Sequence, residues 1–362
     1  MTDQIAAPTG LRGWKLERTP TPSRAVQILA PIASVLLALI ACGLVLLATR
    51  QNPITVYHAM LKGALGDRFG STETLVKMTP LLLAALGISV AFRMELWNIG
   101  ADGQLYLGAI GATWVALFVF PDSRGLVVIP AMVAVGMIAG GVWGAVPGAL
   151  RAVCNANETI TTLMLNYVAV ILCDYLIHGP WKDPNGHGFP GTARFSKAAS
   201  LPRWMPYRLH LGLVFGLVAA TILWIALRRT RWGYELNVMG RNERAARYAG
   251  MNITRTIVIV MAVSGALAGL AGMSEVSGIG HQLQRNLSPG YGYTAIIVAW
   301  LGRLNPIGII LVSFLLAGLL VGGDQLQMSM SLPSSVAPML QGAILFFVLG
   351  GDALTRYRIV RR

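Results

Sequence analysis

The residues best equipped for chemistry lie together in one block, Asn98-Ile99-Gly100-Ala101-Asp102-Gly103-Gln104. Two amides and a carboxylate offer hydrogen-bond donors and acceptors to a polar solute. The glycines between them let backbone approach closely. Glu158 and Asn166 add a second carboxylate and a third amide further along the chain. Asn98, Asp102, Gln104, Glu158 and Asn166 are therefore the candidates for lining a solute pathway. Nothing points to catalysis or to a metal. The three cysteines form no C-x-x-C pair, and none of the five histidines lies three or four residues from another. No G-x-x-x-x-G-K-[ST] run occurs either, so the chain carries no P-loop of its own. The reading is a non-enzyme without a cofactor.

The elements that must position these residues follow from composition. Of 362 residues, 55% are hydrophobic and only 12% charged, where soluble domains run at about 45–50% and about 25%. Mean hydropathy is +0.61. So little charge cannot coat a water-facing surface. A soluble enzyme, a disordered chain and a secreted disulfide scaffold are excluded, and an integral membrane protein remains. The net charge of +14 is assigned to cytoplasmic loops, with no nucleic-acid partner.

Charge-free runs at 25–49, 78–92, 103–121, 125–150, 159–173, 209–227, 256–274, 286–302, 304–323 and 325–351 give ten candidate spans. A crossing helix needs about 20 mainly apolar residues. The two short runs reach that length only with Lys77 snorkelling and Asp174 near an interface. The first run is long and no A-x-A site follows it before Arg50, so it reads as a retained helix rather than a signal peptide. With the N-terminus inside, most of the 29 Lys and Arg fall in cytoplasmic segments, including the cluster from Arg228 to Arg255. Both termini are expected to be cytoplasmic. Ten spans divide as five plus five of opposite entry direction, the plan of an inverted repeat. The fold class expected is an all-α polytopic bundle.

Within it, Gly136, Gly140, Gly144 and Gly148 line one face of a helix, and Gly265 and Gly269 repeat the spacing. Small residues let helices approach in lipid, so these read as packing glycines inside the chain or, less favoured, as a dimer seam. No Asp, Glu, Lys or Arg falls in the middle of any run, which argues against ion coupling. The Asn98–Gln104 block itself admits two readings of equal weight. It is an ordinary turn, or a broken helix entering the pathway, since polar backbone at membrane depth needs protein or water around it.

A second segment stands outside the membrane. From Arg231 to Gly250 it is basic and bounded by glycines. Asn242 suits an N-cap, Glu243 the first turn, Ala245 and Ala246 the helix interior, and Gly250 the left-handed position after it. Gly240, Arg241 and Arg247 complete the element. So short a helix is marginal alone. Either anionic lipid holds it, or a cytoplasmic partner does, with Ala246 on the packed face.

These segments carry a resemblance. Asn98 to Ala109 resembles the N-I-G-[AV]-[ED]-G-Q-x-x-x-G-A signature of ABC-importer permeases of the branched-chain amino acid and simple-sugar type, and most resembles their nucleoside branch. Asn157-Glu158-Thr159-Ile160 to Asn166-Tyr167, Gly179 to Pro184, the Gly240–Gly250 block, Gly290-Tyr291-Gly292-Tyr293, Leu301 to Pro306 and Gln341-Gly342 match as well. Asp102 departs from the pattern, standing where Glu is commoner. The resemblance implies a type II importer permease in a bacterial inner membrane. Its implied partners are an ATPase subunit with two fused nucleotide-binding domains, a second permease or a second copy, and a periplasmic or lipid-anchored solute-binding protein. It further implies a coupling role for the Asn242–Gly250 helix and a nucleoside as solute, with simple sugars or branched-chain amino acids as the alternative. The organisation expected is a cytoplasmic tail over 1–25, a permease domain over 26–351 with an outer loop at 179–210 and a coupling loop at 229–254, and a basic tail over 352–362.

Overall fold

A computed structural model describes residues 14–18, 24–121, 123–186, 189–203, 207–330, 332–333 and 335–361. In chain order the helices are α1 (Arg24–Ala48), α2 (Pro53–Leu65), α3 (Arg68–Phe92), α4 (Ala101–Trp114), α5 (Gly125–Cys154), α6 (Glu158–His178), α7 (Gly212–Arg229), α8 (Arg231–Arg241), α9 (Glu243–Tyr248), α10 (Ile253–Glu275), α11 (Tyr291–Leu301), α12 (Pro306–Met330) and α13 (Val336–Arg356). The fold is all-helical apart from one antiparallel ribbon, β1 (Trp14–Arg18) with β2 (Tyr357–Arg361), in which Trp14 pairs with Arg361. Among the described residues six helices are long and apolar enough to cross a membrane, or up to seven if the bent pair Ile32–Ala48 and Pro53–Leu65 counts as one.

Two compact units make up the chain. The smaller combines residues 1–56 with 338–362; in it the ribbon joins the chain ends, and Gly351 leaves room for the Ser34 side chain. The larger, residues 57–337, holds every candidate pathway residue. Its centre is α3 and α10. Leu81 to Leu86 of α3 are fully buried, as are Met261, Ala268 and Met273 of α10. Such all-round apolar helices belong in a bundle interior. Around them α5, α6 and α7 turn large apolar side chains outward, among them Ile138, Ile160, Ile171 and Ile222, as lipid-facing helices do.

Glycines set how closely the centre packs. A Cβ on Gly140 of α5 would strike the Gly265 carbonyl of α10 and come within 2.7 Å of Gly269 Cα. Gly136 sits against Met273 and the Gly108 carbonyl, and Gly144 and Gly148 against Met261. The glycine faces of α5 and α10 therefore meet each other within the chain.

Two boundaries differ from the sequence reading. Helix α3 begins at Arg68 rather than near residue 78, because Asp67 caps it by accepting the Gly70 N–H at 2.6 Å. Glu73 and Lys77 thus lie inside the helix. Helix α12 runs through Asp324 to Met330 instead of ending before it. Lys77 and Asp324 form an ion pair, and Glu73 lies 3.7 Å from Arg208. A charge met by an opposite charge elsewhere in the fold need not end a helix, so charge-free runs underestimate helix length. Glu73, Lys77 and Asp324 lie within helices but outside the charge-free runs, whose middles remain without Asp, Glu, Lys or Arg. Helices α2 and α8 were also unforeseen.

Candidate functional site

The Asn98–Gln104 block is neither exposed nor free. It forms the descent from α3 and the first turn of α4, and Asn98, Gln104, Asp102, Asn166 and Glu158 are all buried, at 0% to 9% exposure. Each is held by a partner. The Asn98 amide donates to Gln104 Oε1 at 3.1 Å and to Ser264 Oγ of α10 at 2.8 Å, while its own oxygen accepts the Gly100 N–H at 3.0 Å and Gln104 Nε2 at 3.1 Å. Asn166 reaches in from α6. It accepts the Gly103 N–H at 2.8 Å and donates to the Ile99 carbonyl at 2.9 Å and to Tyr293 Oη at 3.2 Å. Both amides are nearly saturated by protein.

Asp102 does something different. Its Oδ1 accepts the Ser288 hydroxyl at 2.6 Å and the Gly292 N–H at 3.1 Å. Ser288 Oγ in turn accepts the Gly290 and Tyr291 N–H groups at 3.2 and 3.0 Å. Ser288 and Asp102 thus satisfy between them three backbone donors at the start of α11, which an isolated helix end leaves unmet. A carboxylate at that end also complements its dipole. Approach is close: a Cβ on Gly292 would fall within 2.7 Å of Asp102 Cα. The first turns of two helices, α4 and α11, are clasped together through one carboxylate. Tyr106 closes the loop over them, its hydroxyl accepting the Ser288 N–H at 3.5 Å.

Glu158 opens α6 beside the junction. One carboxylate oxygen lies 3.5 Å from the Trp97 N–H, and the other 3.4 Å from Arg151 Nε. Four of the five candidates therefore bond directly to the Trp97–Gly103 backbone or, through Asp102, to the start of α11, and Gln104 joins them through Asn98. Sequence reasoning missed Ser288, Ser264 and Tyr293 as their partners, and Thr162, whose hydroxyl accepts the Ile99 N–H at 3.3 Å. Ser288-Pro289-Gly290 before an apolar run was the available signal, since Ser caps helices and Pro suits the first turn.

At one end of this unit, Arg93 Nη2 donates to the Leu304 carbonyl at 2.6 Å, and Gly240 of α8 abuts the Arg93 carbonyl. Burial, then the charge of Arg228, lowers the Arg93 pKa. Phe92, Trp97 and Trp300 cluster there with ring centroids 5.1 to 6.0 Å apart. Helix α9 follows α8. The Asn242 side chain caps it by accepting the Ala245 N–H at 3.1 Å, and Gly250 takes a left-handed φ of 75° just beyond it. Arg241, Glu243, Ala245, Arg247 and Gly250 are exposed, and Tyr248 is 96% exposed. Ala246 is the exception, fully buried within the chain itself. It is therefore unavailable to a partner, contrary to the expectation that it marks the docked face.

At the opposite end, the N–H groups of Thr192, Phe195 and Leu201 bond to carbonyls of Leu283, His281 and Ser277. His210 is buried there, its Nδ1 accepting the Gly212 N–H at 3.1 Å. Burial, then the charge of Arg203, lowers its pKa to about 4, so the ring is neutral near pH 7.

Comparison with known proteins places this arrangement. Residues 71–349 match the family described as branched-chain amino acid transport system / permease component. A glucose ABC transporter permease protein of Haloferax volcanii is 36% identical over 91% of this chain and 89% of its own length. A guanosine ABC transporter permease protein of Bacillus subtilis is 33% identical over 91% of this chain and 95% of its own. A nucleoside ABC transporter permease protein of Lactococcus lactis is 34% identical over 89% and 90%. The clasped helix starts and outward apolar faces thus belong to a multi-pass membrane protein, and the chain is a member of this permease family, the membrane-spanning transport subunit of an ABC transporter rather than an enzyme.

Proposed function

We propose that the chain forms the translocation pathway of an importer for nucleosides. The observation that carries this is the pair of relatives named for guanosine and nucleosides, each aligned along about nine-tenths of both chains. A sugar as solute is the second reading, favoured by the glucose relative. Both readings share chemistry: a nucleoside and a hexose each present a neutral ring with adjacent hydroxyls.

In this reading ten spans are arranged as an inverted five-plus-five repeat. Support comes from two similar passages, α3 running through a polar turn into the shorter α4, and α10 through a polar loop into the shorter α11. The charge distribution supports cytoplasmic termini, residues 179–210 outside and 229–254 inside, in a bacterial inner membrane. Lacking a P-loop, the chain takes its energy from an ATPase partner, with two fused nucleotide-binding domains, and receives solute from a binding protein. A second permease or a second copy completes the pathway. The exposed α9 is the element that meets the ATPase, and movement of α8 and α9 is passed to the bundle through the Gly240–Arg93 contact. The solute passes beside the α4–α11 junction, with Asn98, Asp102, Gln104, Glu158 and Asn166 shaping the wall rather than each presenting a free donor.

The test is uptake of labelled adenosine or guanosine by vesicles holding the assembled transporter. Uptake should require ATP and survive collapse of the proton gradient. Full competition by glucose or leucine with none by nucleosides would overturn the nucleoside reading.

A further inference from the structure

We propose that the cavity between α8 and the start of α10 holds the phosphate headgroup of an anionic phospholipid, whose acyl chains follow α10 into the bilayer. The site is independent of which solute is carried. It needs only that α10 crosses the membrane with its first turn at the surface.

The cavity measures about 630 Å³ and opens at the end of the bundle that carries α9. Arg231 and Trp232, which begin α8, line one wall, and Arg255, in the first turn of α10, lines the other. Both arginines are exposed, and neither guanidinium has an ion pair or a hydrogen bond among the described residues. Glu235, one turn along α8 from Arg231, lines the same space and is also without an ion pair. Two cations against one carboxylate leave the cavity positive. The helix end itself is not the attraction, because the Asn252 side chain already accepts the Arg255 N–H at 3.0 Å.

The inner part of the cavity has different chemistry. Thr256 and Ile259 of α10 line it. Ile259 follows Arg255 by four residues, which puts it on the same helix face and about 6 Å further along the axis. That axis belongs to a segment, Ile253–Gly280, long and apolar enough to cross a membrane. One hollow therefore grades from unpaired guanidinium groups to an apolar side chain at the depth of the hydrocarbon. A soluble phosphate would use only the first part, whereas a phospholipid uses both. Arginine matches phosphate oxygens with paired N–H donors, basic pockets between spanning helices on the cytoplasmic side suit anionic headgroups, and an indole such as Trp232 favours the level where chains meet headgroups. The ATPase has a separate surface: Arg244, Arg247 and Tyr248 line another hollow on α9, which includes neither Arg231 nor Arg255.

The experiment titrates the whole transporter, purified in a nonionic detergent with its ATPase attached, with phosphatidylglycerol and separately with phosphatidylcholine of the same acyl chains. Native mass spectrometry counts the lipids retained and gives their affinity. The unaltered transporter should retain at least one phosphatidylglycerol per copy of this chain and hold it more tightly than phosphatidylcholine. Arg231→Gln with Arg255→Gln should remove one such lipid per copy, weakening its binding by roughly tenfold or more, and leave phosphatidylcholine unaffected. Glu235→Gln should tighten phosphatidylglycerol binding, and it carries the test alone if the arginine variant does not assemble. Neutralising Arg241, Arg244 and Arg247 together should leave that lipid in place, since none of them lines the cavity; a loss equal to that of the Arg231 and Arg255 pair would reduce the effect to net charge and overturn the site. Equal retention of the two lipids, or no change in either cavity variant, also overturns it. Glycerol phosphate, the headgroup without chains, should fail to displace the lipid at millimolar concentration, and displacement would give the cavity to a soluble phosphate compound instead. Absence of the lipid from the assembled transporter would give the cavity to the ATPase.

Discussion

The α4–α11 junction and helix α9 are both short, polar and glycine-bounded, yet they treat their polar groups in opposite ways. At the junction every amide and carboxylate singled out by sequence is buried and bonded to protein. On α9 nearly every polar side chain is exposed, and its only internal ion pair joins Glu243 to Arg247 at 2.9 Å. A buried, saturated polar network specifies one geometry. An exposed two-turn helix gains little from its own bonds and is available to something else. Polar residues in a membrane protein therefore do not identify the moving or binding part by themselves. Whether their hydrogen bonds are already filled does.

The largest effect should come from opening the junction. Asp102→Ala strips the Ser288 hydroxyl and the Gly292 N–H of their shared acceptor. Each buried group left unmet costs about 1–3 kcal/mol, so the purified protein should melt at a clearly lower temperature in detergent. Melting equal to that of the unaltered chain would mean that the α4–α11 clasp does not hold the bundle.

Next in size is a pair on α9 that separates packing from docking. Tyr248→Ala removes an outward side chain that the chain itself does not pack. It should leave melting unchanged while uptake falls by roughly tenfold, the scale of about 1.4 kcal/mol, and the ATPase co-purifies less well. Ala246→Trp should do the reverse first: overfilling an enclosed site costs about 1–3 kcal/mol and lowers melting before any partner is added. If Tyr248→Ala lowers melting and spares uptake, α9 belongs to the structural class of the junction.

Much of this was legible beforehand. Apolar runs located α1, α5, α6, α7 and α10 closely, because a long charge-free run is visible in composition whether the helix faces lipid or the bundle interior. Asn242 and Gly250 marked the ends of α9 through local capping chemistry, which needs no tertiary information. What stayed hidden was tertiary. Lys77 and Asp324 looked like span boundaries because nothing in the sequence says that they face one another. The two readings of the Asn98–Gln104 block could not be separated without Ser264, Asn166 and Ser288, which lie about 60 to 190 positions away. Ala246 looked outward because a six-residue helix has no pattern long enough to show which side is packed.

The smallest effect tests what holds α9 in place. Arg247 is 74% exposed and its partner Glu243 61%, and an exposed i,i+4 pair contributes only about 0.3–0.5 kcal/mol. Arg247→Gln alone should shift neither melting nor uptake measurably. Neutralising Arg241, Arg244 and Arg247 together is more informative. If anionic headgroups seat α9, each basic residue near the surface contributes about 1 kcal/mol. The triple variant should then lose most uptake, with a loss that depends on the anionic lipid content of the vesicles. If the ATPase seats α9 through Tyr248 and its neighbours, the triple variant should retain most uptake in vesicles with or without anionic lipid, because the contact is made by fit rather than by charge. A loss that tracks anionic lipid would move α9 from the protein partner to the membrane surface, and the contrast with the junction would then be one between protein and lipid as the agent that completes each helix.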